Sequence, residues 1–325
     1  MKTGWARAAC SDSALCGISK GHLGALVAEL AEPWQARRES ELGERRGHGR
    51  LRAAGAGPDH QLAFVDRVLV TLVALRWALS HRVPAVLFAT SASTIGRAVG
   101  EIRPLLAARG FAVPNRPAVR LRTLADVFAY AKAEGVTLRI DGTEVQVRRP
   151  KANRPGRKAF VSGKKRQNTG KATMISDGQG RELWLGAIRP GRMHDVTQIR
   201  TEGTEEQLRL HPTVKVEVDS GYLGLVRDFP GQVSGSPKKP SQDAGPSQRN
   251  AYDHARRRQS SDRIMVEHAI AEPKRWRPLQ RWIGRRDDLP EVIAAIGSLV
   301  SDRSATRPSA RKPSTELVLV RRPAC

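Results

Sequence analysis

Residues 136–150 read VTLRIDGTEVQVRRP, and the fold of the chain is best inferred from this stretch. Apolar Leu138 and Ile140 alternate with polar neighbours, which predicts a β-strand, and Asp141 follows where the apolar residues stop. A carboxylate at the end of a buried strand is held rigidly and faces open space, as a catalytic metal ligand requires. Asp141-Gly142 is also a strong hairpin signal, so a plain turn is the alternative.

Two further acids follow at structured positions. The segment TVKVEVD, residues 213–219, is a second alternating strand and ends in Asp219. Glu267 lies in the helical segment DRIMVEHAIAEPKRW, residues 262–276. One carboxylate cannot hold Mg²⁺ alone, whereas three can share divalent ions with DNA oxygens and water. The alternatives stay open: DSGY at 219–222 is an ordinary turn sequence, and Glu267 can form a surface pair with Arg263.

The charge of the chain indicates a polyanionic partner. Its 325 residues include 56 Lys and Arg against 32 Asp and Glu, a net charge of +24, which favours nucleic acid through counterion release. The aromatic content of 5% argues against a protein that binds single strands by stacking. The basic loop, residues 148–171, leaves the Asp141 strand and is expected to grip phosphates beside that acid. Its candidate DNA-binding residues are Arg148, Arg149, Lys164 and Lys165.

Helical patterns precede the acids. Residues 60–80 predict a buried helix, and two more helices, 83–89 and 94–107, are joined by a short polar turn. This layout is typical of a helix-turn-helix, whose second helix presents polar side chains to a major groove. The candidates for that contact are Ser93, Thr94 and Arg97. A plain three-helix bundle is the alternative.

The N-terminal segment is less regular. Residues 1–21 carry no convincing pattern and are expected to be disordered. Residues 22–44 have helical spacing, with Pro33 breaking or restarting the helix. No uninterrupted apolar stretch is long enough to span a membrane, and three remote cysteines predict neither a disulfide framework nor a zinc site. A reducing, cytoplasmic setting is the expectation.

Three local features complete the pattern. Segments 173–176 and 182–188 bracket a Gly-rich turn and predict a hairpin that extends the sheet. Asp195 could contact the acids, but capping of the helix that follows it is favoured. Pro273 lacks an amide proton, so the helix of Glu267 is expected to kink or to end near Ala271.

Together these residues resemble bacterial insertion-sequence transposases of the DDE superfamily, in the Harbinger-related endonuclease group. The shared segments are the helix-turn-helix at 83–107, IDGTEVQVRRP, SGKKRQNTGKAT, RPGRMHD, VDSGYLG, KKP and RIMVEHAIAEPKRW. The spacing of Arg263, Glu267 and Lys274 is similar to the family's signature around its third acid. Three residues depart from the pattern: Ser260 stands where relatives often carry tyrosine, Pro273 stands inside a helix, and Pro278 follows.

The resemblance implies an α/β fold, an RNase H-like mixed-sheet catalytic domain preceded by an all-α helix-turn-helix domain. It implies that Asp141, Asp219 and Glu267 bind two Mg²⁺ ions, with Mn²⁺ as a substitute, and that Arg263 and Lys274 contact DNA. The expected activity is cutting and joining of double-stranded DNA at element ends by a homo-oligomer bound to terminal inverted repeats and target DNA. The alternative is a decayed transposase that only binds specific DNA.

The same reading divides the chain into five parts. They are an N-terminal helix with a basic linker (1–57), the helix-turn-helix domain (58–112), a connecting helix (113–134), the catalytic domain (135–303) and a polar tail (304–325).

Overall fold

The computed structural model describes residues 2–49, 61–149 and 156–306, which form two compact units. The first unit contains the described residues up to Ala108 together with Trp276–Pro278, and the second contains the others. No helix among these residues combines the length and the apolar character that crossing a bilayer requires.

The first unit is helical. Its helices are α1 (Lys2–Cys10), α2 (Ser13–Cys16), α3 (Lys20–Arg46), α4 (Phe64–Trp77), α5 (Arg82–Leu87) and α6 (Ala92–Ala108). Helix α4 is apolar around most of its circumference and forms the centre of the unit, where Leu69 and Leu72 are fully buried. Helix α6 buries Ile95 and Ile102 and exposes the opposite side.

Two predictions for the N-terminal segment were wrong. Residues 2–21 are not disordered, because α1 and α2 pack on α4 and Arg7 of α1 donates two hydrogen bonds to the buried Asp66 (2.8 and 3.0 Å). Pro33 does not break the helix, since α3 runs from Lys20 to Arg46 through it. Leu30 on one side of the proline is buried, and Trp34 on the other packs on Phe64 with ring centroids 4.9 Å apart. Tertiary packing on both sides therefore outweighs the missing hydrogen bond.

The second unit is an α/β structure. Its strands are β1 (Phe111–Val113), β2 (Arg116–Leu121), β3 (Leu138–Val147), β4 (Thr169–Asp177), β5 (Glu182–Leu185), β6 (Arg189–Pro190), β7 (Val216–Val218), β8 (Val233–Ser234) and β9 (Arg281–Trp282). The helices that follow Ala108 in the chain are α7 (Leu124–Glu134), α8 (Asp195–Thr201), α9 (Thr204–Leu210), α10 (Leu223–Asp228), α11 (Pro246–Ala271), α12 (Arg277–Gln280) and α13 (Leu289–Ala305).

Seven of these strands form one mixed sheet with the order β5-β4-β3-β7-β8, while β6 pairs with β4 and β9 with β3. Strands β5, β4 and β3 are antiparallel neighbours, whereas β3, β7 and β8 are parallel. This order is that of an RNase H-like fold, so the predicted fold class is confirmed. The predicted hairpin is the β4–β5 pair, and β8 extends the sheet beyond β7.

Strand β3 is the centre of the sheet and does not turn at Asp141-Gly142. Its register with β4 continues through that dipeptide, pairing Gly142 with Thr173 and then Thr143 with Ala172. The turn alternative fails because the strand continues beyond this dipeptide with Thr143, Val145 and Val147 buried, on the face opposite to that of Leu138 and Ile140. Asp141 therefore lies within a continuous strand, next to the point where its parallel partner β7 ends.

Helix α11 ends where the proline predicts. Its last residue is Ala271, and Pro273–Arg275 form a 3-10 turn. Pro273 cannot donate the hydrogen bond that would continue the helix, and its ring is buried. The prediction of a helix end before Lys274 is confirmed.

Candidate functional site

Strands β3 and β7 carry two acids to the same edge of the sheet. Their parallel register pairs Ile140 with Val218, and Asp141 and Asp219 are the next residues on each strand. The backbone amide of Gly142 donates to Asp141 Oδ1 (2.6 Å), and that of Ser220 donates to Asp219 Oδ1 (2.7 Å). Both acids are partly exposed, so these strand acids, Asp141 and Asp219, are held by the backbone and open to solvent.

Glu267, the third predicted ligand, is an exposed residue of α11. Among the residues that the structure describes, no group of three or more His, Cys, Asp or Glu side chains is placed to hold a metal ion. Arg263 lies in the same helix, but its side chain is outside the described part. The strand acids thus come to one edge, and the three-carboxylate ligand set stays a prediction.

The surroundings of the strand acids carry excess negative charge. Burial raises the pKa of the Tyr222 hydroxyl, and the negative charges of Asp195, Asp141, Glu202 and Asp219 raise it further. Four carboxylates therefore interact electrostatically with one buried hydroxyl. Clustered carboxylate oxygens suit a hard divalent cation such as Mg²⁺. The chemistry of this donor set fits the metal that the sequence predicts.

Cationic side chains lie near Asp141. Burial lowers the pKa of the Lys274 ammonium, and Lys165 lowers it further, while the negative charge of Asp141 acts in the opposite direction. Glu144 also raises that pKa, and Lys164 lowers it. These charges interact because Lys274, the basic loop and β3 lie close together. Positive charge therefore lies beside this acid, and its contact with DNA phosphates stays a prediction.

The basic loop is fixed to the sheet beside that site. Ser162 Oγ donates to Glu144 Oε1 (3.2 Å), and Thr169 Oγ1 donates to Glu144 Oε2 (3.0 Å). The amide of Lys165 in turn donates to Ser162 Oγ (3.2 Å). Lys164 and Lys165 remain exposed, as do the other two candidates, Arg148 and Arg149, directly after β3. The loop can therefore present its charges to a polyanion from an anchored backbone.

Asp195 differs from its predicted role. It is the first residue of α8, but it is not a cap: the residue at the cap position is His194, without a side-chain cap bond. Lys171 Nζ instead donates to Asp195 Oδ1 (2.8 Å) and to the Met193 carbonyl (3.1 Å). The capping prediction was wrong because β4 supplies a largely buried cation, which is a stronger partner for a carboxylate than an exposed amide.

The predicted recognition helix has an ordered polar N-terminus. Ser91 Oγ accepts a hydrogen bond from the Thr94 amide (3.1 Å) and lies 2.8 Å from Ser93 Oγ. Arg97 Nη2 donates to Thr94 Oγ1 (3.3 Å). Ser93 and Arg97 are exposed while Ile95 is buried, so the polar candidates lie on the solvent side of α6. Helices α4, α5 and α6 with this turn form a helix-turn-helix, not merely a bundle.

Sequence reasoning missed Glu144 and Lys171 as parts of the site. Both are in strands at in-register positions, with Glu144 opposite Lys171, and nothing in their spacing separates them from surface residues. For Asp195 a signal existed, since it ends the segment RPGRMHD that contributed to the family resemblance.

Comparisons with known proteins agree with this geometry. Residues 140–300 match the family described as DDE superfamily endonuclease, and residues 60–112 match the helix-turn-helix of DDE superfamily endonuclease. No curated protein and no solved structure matches the chain. The first match covers β3 through most of α13, including both strand acids, and the second covers α4 to α6. The chain therefore belongs to the DDE superfamily of transposase-type endonucleases and carries the family's helix-turn-helix.

Proposed function

We propose that this protein is a DNA transposase that cuts and joins DNA strands at the ends of an insertion element. The observation that carries the proposal is the placement of Asp141, within β3, and Asp219, directly after β7, at the next register position after the paired residues Ile140 and Val218 of these parallel strands. A helix-turn-helix and a nuclease domain in one chain supply the two requirements of such an enzyme, which are recognition of an end sequence and cleavage of a phosphodiester.

In this proposal the strand acids hold the metal and Glu267 is the third ligand. Two divalent ions, Mg²⁺ or Mn²⁺, would supply activation of the attacking water or 3′-hydroxyl and stabilisation of the leaving oxygen. The residues of the chain bind and orient the DNA. Lys164, Lys165 and Lys274 attract the phosphates next to Asp141, while Arg97 of α6 reads base edges in the major groove.

The reaction has consequences for the partners. Transposition joins two element ends to a target, so the proposed complex contains inverted-repeat DNA, target DNA and more than one copy of the chain. The proposed setting is the cytoplasm, where bacterial DNA lies. The net charge of +24 supports binding of such a polyanion.

A second candidate function is sequence-specific DNA binding without catalysis. Two observations favour it: no three-residue metal-ligand group exists within the described part of the chain, and Glu267 is exposed. Ser260 and Pro273, which depart from the family pattern, also favour a protein that binds DNA without catalysis.

A nicking assay separates the two functions. Purified protein is incubated with supercoiled plasmid carrying the DNA that flanks the gene, in Mg²⁺, Mn²⁺ or EDTA. Metal-dependent nicking that is lost in Asp141→Asn supports the transposase. Specific binding of the flanking DNA by a folded protein that never nicks supports the second function.

A further inference from the structure

We infer that Asp195 is a positioning residue, which holds the strand acids Asp141 and Asp219 in place by packing behind their backbones. The inference rests on the proposed nuclease function and names a residue that the DDE triad does not contain. Its carboxylate lies on the Cβ side of Gly142, which follows Asp141 in IDGT, and of Gly221, which is two residues after Asp219 in DSGY, and Lys171 fixes it there.

The contacts with the two glycines are close. A Cβ added at Gly221 would lie 2.5 Å from Asp195 Oδ2 and 3.4 Å from its Cγ. A Cβ added at Gly142 would lie 3.5 Å from Asp195 Oδ1 and 3.3 Å from the Tyr222 hydroxyl. Neither glycine has a positive φ, so the backbone conformation alone does not require glycine at either position. Space for the Asp195 carboxylate therefore accounts for glycine at 221, whereas at 142 the closer neighbour is the Tyr222 hydroxyl and Asp195 is at an ordinary van der Waals distance.

Asp195 lies on the opposite face of the sheet from the Asp141 side chain. Side chains alternate along β3, so Asp141 points to the same face as Thr143, whose side chain lines a small pocket with Lys274. The Cβ direction of Gly142 is the other face, where Asp195 and Tyr222 lie. Asp195 is thus placed to support the backbone of the strand acids from the opposite face of the sheet. It is not placed to ligate a metal on the face of the Asp141 side chain.

The Lys171 ion pair makes this support rigid. Lys171 is largely buried, with 12% of its side chain exposed, and donates both to Asp195 and to the Met193 carbonyl that precedes α8. A charge-assisted bond from a strand residue holds the carboxylate more firmly than a helix-end amide does. Partners that orient metal ligands typically change metal affinity or activity by about 10- to 100-fold when they are removed.

The first test uses Asp195→Asn, which keeps the shape of the side chain but removes its charge. We expect catalytic turnover in the plasmid assay to fall by roughly tenfold or more, with the Kd for DNA unchanged. We also expect a smaller rise in Tm on adding Mn²⁺, a measurement that needs no catalysis. Glu206→Gln is the control because it makes the same chemical change at an exposed position of α9 and should match wild type.

The second test is a double-mutant cycle for the contact itself. Gly221→Ala should lower Tm and activity in the wild type but cost little in Asp195→Ala, where the carboxylate is gone. Gly224→Ala is the control, since its Cβ would meet Val196 at 3.2 Å and not Asp195, so its effect should be equal in both backgrounds.

The outcomes distinguish the proposed nuclease function from the positioning role of Asp195. A wild type that neither nicks DNA nor responds to Mn²⁺ overturns the proposed function, whereas additivity in the Gly221 cycle overturns the contact. A wild type that does both, with Asp195→Asn equal to it in turnover and in the Mn²⁺ response, overturns the positioning role alone.

Discussion

Arg97 donates a hydrogen bond to the hydroxyl of Thr94, one turn earlier on the exposed side of α6 (3.3 Å). Thr94 is itself tied to Ser91 at the start of the helix, with 2.9 Å between the two hydroxyl oxygens. The guanidinium is therefore partly oriented before it meets DNA. An oriented arginine loses less conformational freedom when it binds a base edge, which favours sequence discrimination.

We expect Arg97→Ala to reduce discrimination between specific and random DNA. A good bidentate contact between arginine and guanine contributes about 1–3 kcal/mol of discrimination, so the affinity for specific DNA should fall most. The measurement is the Kd for the flanking DNA and for a scrambled duplex at several salt concentrations.

Lys164→Ala is the matched comparison, because this exposed lysine of the basic loop is expected to contact phosphates. Its loss should weaken binding to both duplexes equally and reduce the salt slope of binding by about one unit. If Arg97→Ala weakens binding to both duplexes equally, then α6 and the basic loop do not have separate roles in DNA recognition.

Asp141→Asn should abolish metal-dependent nicking and leave DNA binding intact. The amide cannot supply the negative charge that a divalent ion requires, but it can still accept the hydrogen bond from the Gly142 amide, so the strand should keep its conformation. Cleavage by wild type and variant is compared at equal DNA occupancy. Asp219→Asn should behave alike, and nicking retained by either variant would remove the strand acids from the site.

The sequence predicted the sheet because its signals are local. Alternation at Leu138 and Ile140 marked β3, and the acids that follow the apolar runs marked the candidate site. The polar turn before α6 and the proline after Ala271 are likewise local and were interpreted correctly.

Contacts between distant segments could not be predicted in the same way. The pairing of Lys171 with Asp195 depends on where β4 places the ammonium, and the continuity of α3 through Pro33 depends on the packing of Trp34 on Phe64. In both cases a tertiary contact outweighs the local preference of a cap or a proline. The position of Glu267 relative to the strand acids also depends on tertiary contacts, so its role as a metal ligand stays a prediction.

Lys274→Met should raise stability and reduce DNA binding. The side chain lies beside an apolar pocket lined by Val145, Pro273 and Leu279, where burial lowers the pKa of the ammonium. Methionine fills similar space without that charge, so we expect Tm to rise by about 2 °C at neutral pH. The affinity for DNA should fall, and its salt slope should decrease by about one unit.

The gain in stability from Lys274→Met should depend on pH. A lowered ammonium pKa means that the folded protein binds the proton less tightly than the unfolded chain does, so wild-type stability increases as the pH rises through the lowered pKa. The advantage of the methionine variant should shrink over that range. Lys132→Met, at an exposed position, is the control. If Lys274→Met is no more stable than wild type, then burial of the Lys274 ammonium does not cost stability.

Glu182 lies at the start of β5, fully buried, with neither carboxylate oxygen hydrogen-bonded. Burial raises its pKa well above the usual value of 4.5, and the nearby charge of Glu272 raises it further. The folded protein therefore holds this proton more tightly than the unfolded chain does. The stability that comes from this group is complete below about pH 4.5 and is lost as the pH rises through the raised pKa.

Glu182→Gln should accordingly stabilise the protein at neutral pH and change little at pH 4. Glutamine has the size of the protonated acid and carries no charge to desolvate, and the bond from the residue's own amide to Ser304 Oγ (3.1 Å) is unaffected. We expect the free energy of unfolding to rise at pH 7, because the variant neither desolvates a charge nor has to take up a proton on folding. Urea unfolding of wild type and variant at pH 4 and pH 7 measures the difference. A gain of equal size at both pH values would show that protonation of Glu182 does not control it, and Glu206→Gln should show no gain at either.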